Sequence, residues 1–296
     1  MSCITGRFTL PAICRYGHVA LPAFCLALVV SPATAQQRID NNATLMVRSL
    51  VPGIDITRIA ALPKAPASAS TRQDCGTLDQ ARSDGGKIAN ASGWGVTAEA
   101  KLGAYDAVSF AGKFEPLTSG SCEISAGNVA LFQGRQLMAL VYAPSHSRQS
   151  IGNLQPLGDK LRILDGDLIP MPVGDLRLSG DGTIEVNPLP DTDPICRGQG
   201  VVPNMYGKSI RQARKTLMAQ GWRPVKSSSL DPLAQDLHQS GIGEADGCAG
   251  TGFAFCSYYY RKSNMELGVT TFGDSDAPPV VNYSAVCDRS RWHRSN

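Results

Sequence analysis

A chain in two parts, all-β in its N-terminal region and α+β in its C-terminal one, is what this sequence predicts. Three observations carry that expectation. Between residues 73 and 190, short apolar runs are separated by Gly and Asp-Gly turn signals. Helical periodicity is strong at one place, residues 209–220, and further short strand-like runs follow it. Thirty glycines and nineteen prolines in 296 residues favour many turns over long helices. With 43% apolar and 18% charged residues, the chain has the composition of an ordinary globular protein.

Residues 1–35 read as a secretory signal peptide. Arg7 and Arg15 supply the positive charge, Val19–Val30 the apolar stretch, and Ala33-Thr34-Ala35 a small-x-small cleavage site. Twelve apolar residues followed by Pro32 are short for a bilayer span, which needs about 20. No later stretch reaches that length, so no membrane span is expected after cleavage. Without Arg7 and Arg15, 26 basic residues face 25 acidic ones. Such a balance gives no field for nucleic acid. Six cysteines remain beyond the signal: Cys75, Cys122, Cys196, Cys248, Cys256 and Cys287. An even set with no CxxC or CxxH pair reads as three disulfides in an oxidising compartment rather than as a zinc site. Cys75–Cys122 is the simplest first bridge. The last four pair either as Cys248–Cys256 with Cys196–Cys287 or as Cys196–Cys248 with Cys256–Cys287, and the short glycine-rich gap favours the former. The expected location is periplasmic or extracellular.

Residues 36–72 end in an Ala/Pro/Ser run and read as a flexible segment and linker. From 73 to 190 the runs WGVTAEAKL, YDAVSFAGKF, QLMALVY and their successors alternate with turns such as Asp165-Gly166-Asp167 and Ser179-Gly180-Asp181-Gly182. These turns supply the positive φ that tight hairpins require, and the pattern suggests a small sandwich or barrel. Three prolines fall within Pro188–Pro194, and residues 191–200 read as a Pro-rich linker.

The segment Val201–Val225 has the clearest local logic. Ser209 and Gln212 form a capping box, Ile210, Ala213 and Leu217 make one apolar stripe, and Gly221 is a C-terminal stop. A second short helix is expected in Leu230–Ser240, and a glycine-rich loop from 241 to 252. Three antiparallel strands follow at 253–261, 267–272 and 280–287, and a basic tail occupies 289–296. Val202-Pro203-Asn204, Gly207, Ser209, Ala213, Leu217, Gly221 and Val225 together resemble the first half of a PASTA domain. That β-α-β-β module occurs in penicillin-binding proteins and cell-wall-sensing kinases. The resemblance implies an α+β domain over 201–288 and a role in binding peptidoglycan or β-lactams, with no catalytic residue. Trp222 and the segments carrying the cysteines depart from the family pattern.

Motifs for chemistry are sparse. His146, His238 and His293 stand alone, and there is no HExxH, GxSxG, P-loop or GxGxxG before a helix. No metal and no cofactor is expected. Among Asp159, Asp165, Asp167, Asp175 and Asp181, two could serve a glycosidase if held about 5–9 Å apart, but beside glycine they read first as turn residues. Trp94, Tyr105, Trp222, Tyr258 and Tyr260 are the candidates for a ligand-stacking surface. In the YYY run, Tyr259 points away from Tyr258 and Tyr260. The sequence therefore leads to an exported, non-enzymatic envelope protein that binds peptidoglycan or another envelope protein. A secreted glycan hydrolase and a scaffold presenting the 241–252 loop are the alternatives. Whether a concave pocket gathers polar groups from separate segments bears most on the choice.

Overall fold

In the computed structural model, residues 45–75, 77, 80–117, 121–250 and 252–287 are described. The signal-like segment and the basic tail lie outside them. Two five-stranded sheets dominate the N-terminal region. The first runs β2 (Asp55–Thr57), β8 (Gln136–Tyr142), β7 (Asn128–Gln133), β4 (Tyr105–Ala111), β3 (Gly95–Leu102). The second runs β1 (Val47–Ser49), β12 (Ile184–Asn187), β11 (Pro172–Leu178), β10 (Lys160–Leu164), β9 (Asn153–Leu157). All pairings are antiparallel except β1 with β12. Val129, Leu131, Ala139 and Val141 of the first sheet share one core with Leu161, Ile163, Leu176 and Val186 of the second. Period-two alternation sends Ala130, Phe132, Leu137 and Phe110 to the other face of the first sheet, where a second core forms.

That second core is closed by an element the sequence reading missed. Helix α1 (Asp84–Ala91) starts at Ser83, whose side chain accepts from Gly86 N at 2.9 Å. The Glu99 carboxylate accepts from the backbone N–H groups of Arg82 and Ser83 at 2.7 and 3.0 Å, placing negative charge where helix donors are unpaired. Two glycines in the first turn disguise this helix. A Cβ on Gly85 would lie 2.3 Å from the Phe132 ring, and one on Gly86 2.1 Å from Glu99 Oε1, so close packing excludes side chains there. The region is therefore not all-β.

Two expected linkers are also built into the fold. Residues 45–72 supply β1, β2 and part of a 3-10 segment (Ala67–Asp74), which Cys75–Cys122 ties to the hairpin of β5 (Lys113–Pro116) and β6 (Cys122–Ser125). Residues 191–200 contribute β13 (Thr192–Ile195), which pairs with β14 (Gly200–Pro203). The described residues all fall in one compact unit, with no division at the Pro-rich segment.

Beyond β14, the C-terminal region follows the expected order. Helix α2 (Ile210–Ala219) has its complete capping box: Gln212 N donates to Ser209 Oγ at 3.3 Å and Ser209 N to Gln212 Oε1 at 3.2 Å. Helix α3 (Pro232–Gln239) is capped by Asp231. The sheet is broader than expected: β17 (Cys256–Lys262), β18 (Met265–Thr271) and β19 (Val280–Val286) are joined by β15 (Arg223–Pro224) and β16 (Ala245–Cys248). Thus part of the expected 241–252 loop is a strand. Ile210, Ala213 and Leu217 of α2 pack on Trp222, Tyr258, Tyr260, Leu267 and Val269 in a core of their own. The other bridges are Cys196–Cys287 and Cys248–Cys256, the favoured pairing. No helix among the described residues is long and apolar enough to cross a membrane.

Candidate functional site at the junction of the two regions

Four of the five proposed stacking aromatics are core residues. Trp94 is 6% exposed and donates its indole N–H to Pro63 O at 2.8 Å, with its ring 5.0 Å from Phe110. Trp222, Tyr258 and Tyr260 are fully enclosed beneath α2. Tyr105 is half-buried against the sandwich core. The expected alternation in the YYY run is present, but the pair on one face is the buried pair and Tyr259 is the outward residue. Burial leaves Trp94, Trp222, Tyr258 and Tyr260 no ring face for a ligand.

The acidic residues divide between turns and a buried network. Asp165 Oδ1 accepts from Asp167 N at 3.2 Å and Met171 N at 2.9 Å. Burial raises the Asp165 pKa, and these two donors partly offset that rise. Asp167 caps Leu168 N in the same loop, and Asp181 caps Thr183 N in another hairpin. Asp159 sits in the β9–β10 turn. These groups close turns, and none is paired with a second carboxylate across a cleft. His146 is exposed, and His238 Nε2 meets Ala245 O at 2.7 Å. No His/Cys/Asp/Glu group suited to a metal occurs among the described residues.

Asp175 belongs to a network that sequence reasoning missed. On β10, alternation turns Leu161 and Ile163 into the sandwich core and Lys160 and Arg162 outward. Arg162 faces Asp175 of β11 directly across the ladder. The C-terminal region then covers this outer face, with Asp193 of β13 lying over it. Lys160, Arg162, Asp175 and Asp193 end up 2%, 3%, 0% and 3% exposed. Arg162 gives Nε to Asp175 Oδ1 at 2.9 Å, and Nη1 and Nη2 to the two oxygens of Asp193 at 2.8 Å each. Lys160 Nζ bridges Asp175 and Asp193, the latter at 3.0 Å. Tyr283 of β19 donates to Asp193 Oδ2 at 3.2 Å. The Arg162 guanidinium lies 6.0 Å from the Tyr206 ring, which in turn packs 4.6 Å from that of Tyr283.

Two cations and two anions make the quartet neutral, and every carboxylate oxygen accepts at least one hydrogen bond. Burial alone would raise the Asp193 pKa, but Arg162 and Lys160 outweigh it and hold the value below the usual range. Burial likewise opposes the Arg162 charge, yet the two aspartates keep it firmly protonated. Arg177, at the rim, brings a third cation within 3.9 Å of Asp175. The quartet is a fastener between the two regions.

A second buried carboxylate, Glu244, is less complete. Its Oε1 accepts from Tyr260 Oη at 2.7 Å and Arg214 Nε at 2.8 Å, while Oε2 has no hydrogen-bond partner. Burial, then the Glu244 charge, push the Tyr260 pKa upward.

Beside the quartet lies a groove of about 510 Å³, within the range of ligand sites. One wall is Asn153, Leu154 and Gln155 of β9 with Leu164 and the 168–170 turn; the other is Tyr206, Phe255, Thr270, Val281 and Asn282. None of these side chains is charged. Three amides and two hydroxyls converge on an apolar floor. Two other concavities are smaller, about 300 Å³ along the basic face of α2 and about 100 Å³ near Asp236, Asp274 and Asp276. Neither joins the two regions. No family model matches the chain, and no curated protein or solved structure matches it either.

Proposed function

We propose that this chain is an exported, non-enzymatic envelope protein that binds the uncharged stretches of a cell-wall polymer in the junction groove. The observation carrying this reading is that groove: its polar groups come from β9, β18, β19 and the turn at Tyr206, and it holds no ionisable pair. Amides and hydroxyls over an apolar floor suit a hydroxyl- and amide-rich chain. Strand addition is disfavoured along β9, which ends its sheet. Pro156 has no N–H to offer, and Leu154 N already donates to the Asn153 side chain at 2.7 Å. Recognition then falls to side chains. Export is supported by the signal-like residues 1–35 and the three disulfides. The resemblance of Val201–Val225 to a PASTA half-module points to the same ligand.

The test is co-sedimentation of the mature protein with purified peptidoglycan sacculi beside a known binder. The wild type should pellet, and Gln155→Ala/Asn282→Ala should remain in the supernatant. If the wild type stays soluble while the control pellets, the cell-wall assignment is wrong.

A further inference from the structure

Phe253, Phe255 and Phe272 form a cluster that the fold does not need. Their ring centroids lie 6.1, 6.0 and 5.6 Å apart pairwise. None of the three is among the side chains of the core beneath α2. Each is half-buried, so ring surface remains in contact with water. Clustered apolar surface outside a core has a cost in water, and its persistence calls for a use.

The backbone that carries the cluster is also constrained. Cys248 and Cys256 face each other across β16 and β17 and close a short loop by their disulfide. Phe253 and Phe255 lie inside that loop. Between them Ala254 adopts φ +44°, a left-handed conformation that residues with side chains rarely take. Phe255 O accepts from Ala249 N at 2.7 Å, and Phe253 O from Gly273 N at 3.0 Å. The backbone that carries the two rings is therefore held at both residues. Phe255 is at the same time a wall of the junction groove.

We infer that this aromatic cluster is the stacking platform of the ligand site, and that the ligand is a glycan chain running from the amide-lined wall onto Phe255 and Phe253. The inference rests on the groove reading above. A pyranose ring has an apolar C–H face that packs on an aromatic ring, while its hydroxyls and N-acetyl groups stay free for Asn153, Gln155 and Asn282. A charged polymer finds no counter-ion along the groove walls. A strand-like peptide meets the blocked edge of β9. Phe255 belongs both to the groove wall and to the cluster, so a chain of two or more sugars seated against the amides can extend onto the neighbouring rings.

The experiment is calorimetric titration of the mature, oxidised protein with an N-acetylglucosamine hexamer and, in parallel, with a neutral hexapeptide of similar length. The account expects the sugar to bind and the peptide not to. Phe255→Ala and Phe253→Ala should each weaken sugar binding at least tenfold, and Phe255→Tyr should retain it within about threefold, with circular dichroism confirming that each variant folds. If Gln155→Ala/Asn282→Ala abolishes sugar binding while both phenylalanine variants bind as the wild type does, the platform is refuted and the groove reading stands. If the peptide binds and the sugar does not, the glycan assignment is refuted. If neither probe binds and the sacculi also fail to retain the protein, the groove reading falls with it.

Discussion

The two sheets of the sandwich are both buried on their outer faces, by opposite means. The sheet of β7 and β8 is apolar on each side: Val129 and Leu131 face the shared core, Ala130 and Phe132 face α1. The sheet of β10 and β11 is apolar only inward. Its outer face carries Lys160, Arg162 and Asp175, and a second region supplying Asp193 covers it. The first solution gains mainly from burial of apolar area. The second needs every charge matched, because desolvation of an unpaired buried ion outweighs most single contacts. A buried quartet of this kind adds little net stability over an apolar replacement, but it specifies which surfaces meet. The groove exists because they meet in that one way.

The comparison breaks most visibly in a pair of variants of similar size and different character. Asp193→Ala leaves Lys160 and Arg162 short of a counter-charge and should cost about 3–5 kcal/mol in urea unfolding at pH 7. Phe132→Ala should cost about 3–5 kcal/mol through a cavity, with little dependence on pH. The first loss should shrink when Arg162→Met is added, and the second has no such rescue. Equal losses with and without Arg162→Met would remove the network from the account.

Acid sharpens the contrast. The Asp193 pKa is lowered in the fold, so its contribution is present above the unfolded value near 3.9 and is lost as pH falls through the lower folded value. Wild-type stability should therefore fall between pH 5 and pH 2 more steeply than that of Asp193→Asn, read from urea midpoints across that range. Parallel curves for the two proteins would contradict the assignment.

Smaller effects belong to the local devices. Gly85→Ala should destabilise by about 1–3 kcal/mol, because its Cβ meets the Phe132 ring at 2.3 Å, and Phe132→Leu should recover part of that loss. Ser209→Ala should cost about 1 kcal/mol by removing the cap of α2. Thermal unfolding monitored by circular dichroism resolves both.

These magnitudes track what could be seen in the sequence. Helix α2 was legible because its cap, stripe and glycine stop lie within a dozen residues and act locally. The three bridges were legible because few cysteines leave few arrangements, and the favoured one closes the shortest loop. Residues 45–72 were not legible. β1 and β2 are three residues each and gain their order from partners at Ile184–Val186 and Leu140–Tyr142, far along the chain. Helix α1 was hidden by glycines that tertiary packing demands.

The site was harder still. The parity of Tyr258, Tyr259 and Tyr260 followed from pleating, but which face α2 would cover is a tertiary fact. Lys160 and Arg162 alternate with Leu161 and Ile163 just as a half-exposed strand does, and only the arrival of Asp193 makes them buried. The available signal was weak: opposite charges at facing positions of one hairpin, and an aspartate set between Thr192 and Pro194. The sequence pattern extends the strand back to Phe253, whereas Phe253 and Phe255 lie in the loop closed by Cys248–Cys256.

The measurement that bears most directly on the groove is amide chemical-shift mapping of the labelled mature protein titrated with the N-acetylglucosamine hexamer. The account predicts saturable shifts concentrated at Asn153–Gln155, Phe253–Phe255, Thr270 and Val281–Asn282, with the core around Tyr258 and Tyr260 unchanged. Shifts confined to α2 or to the Asp236–Asp276 concavity, or no saturable shift at all, would contradict it.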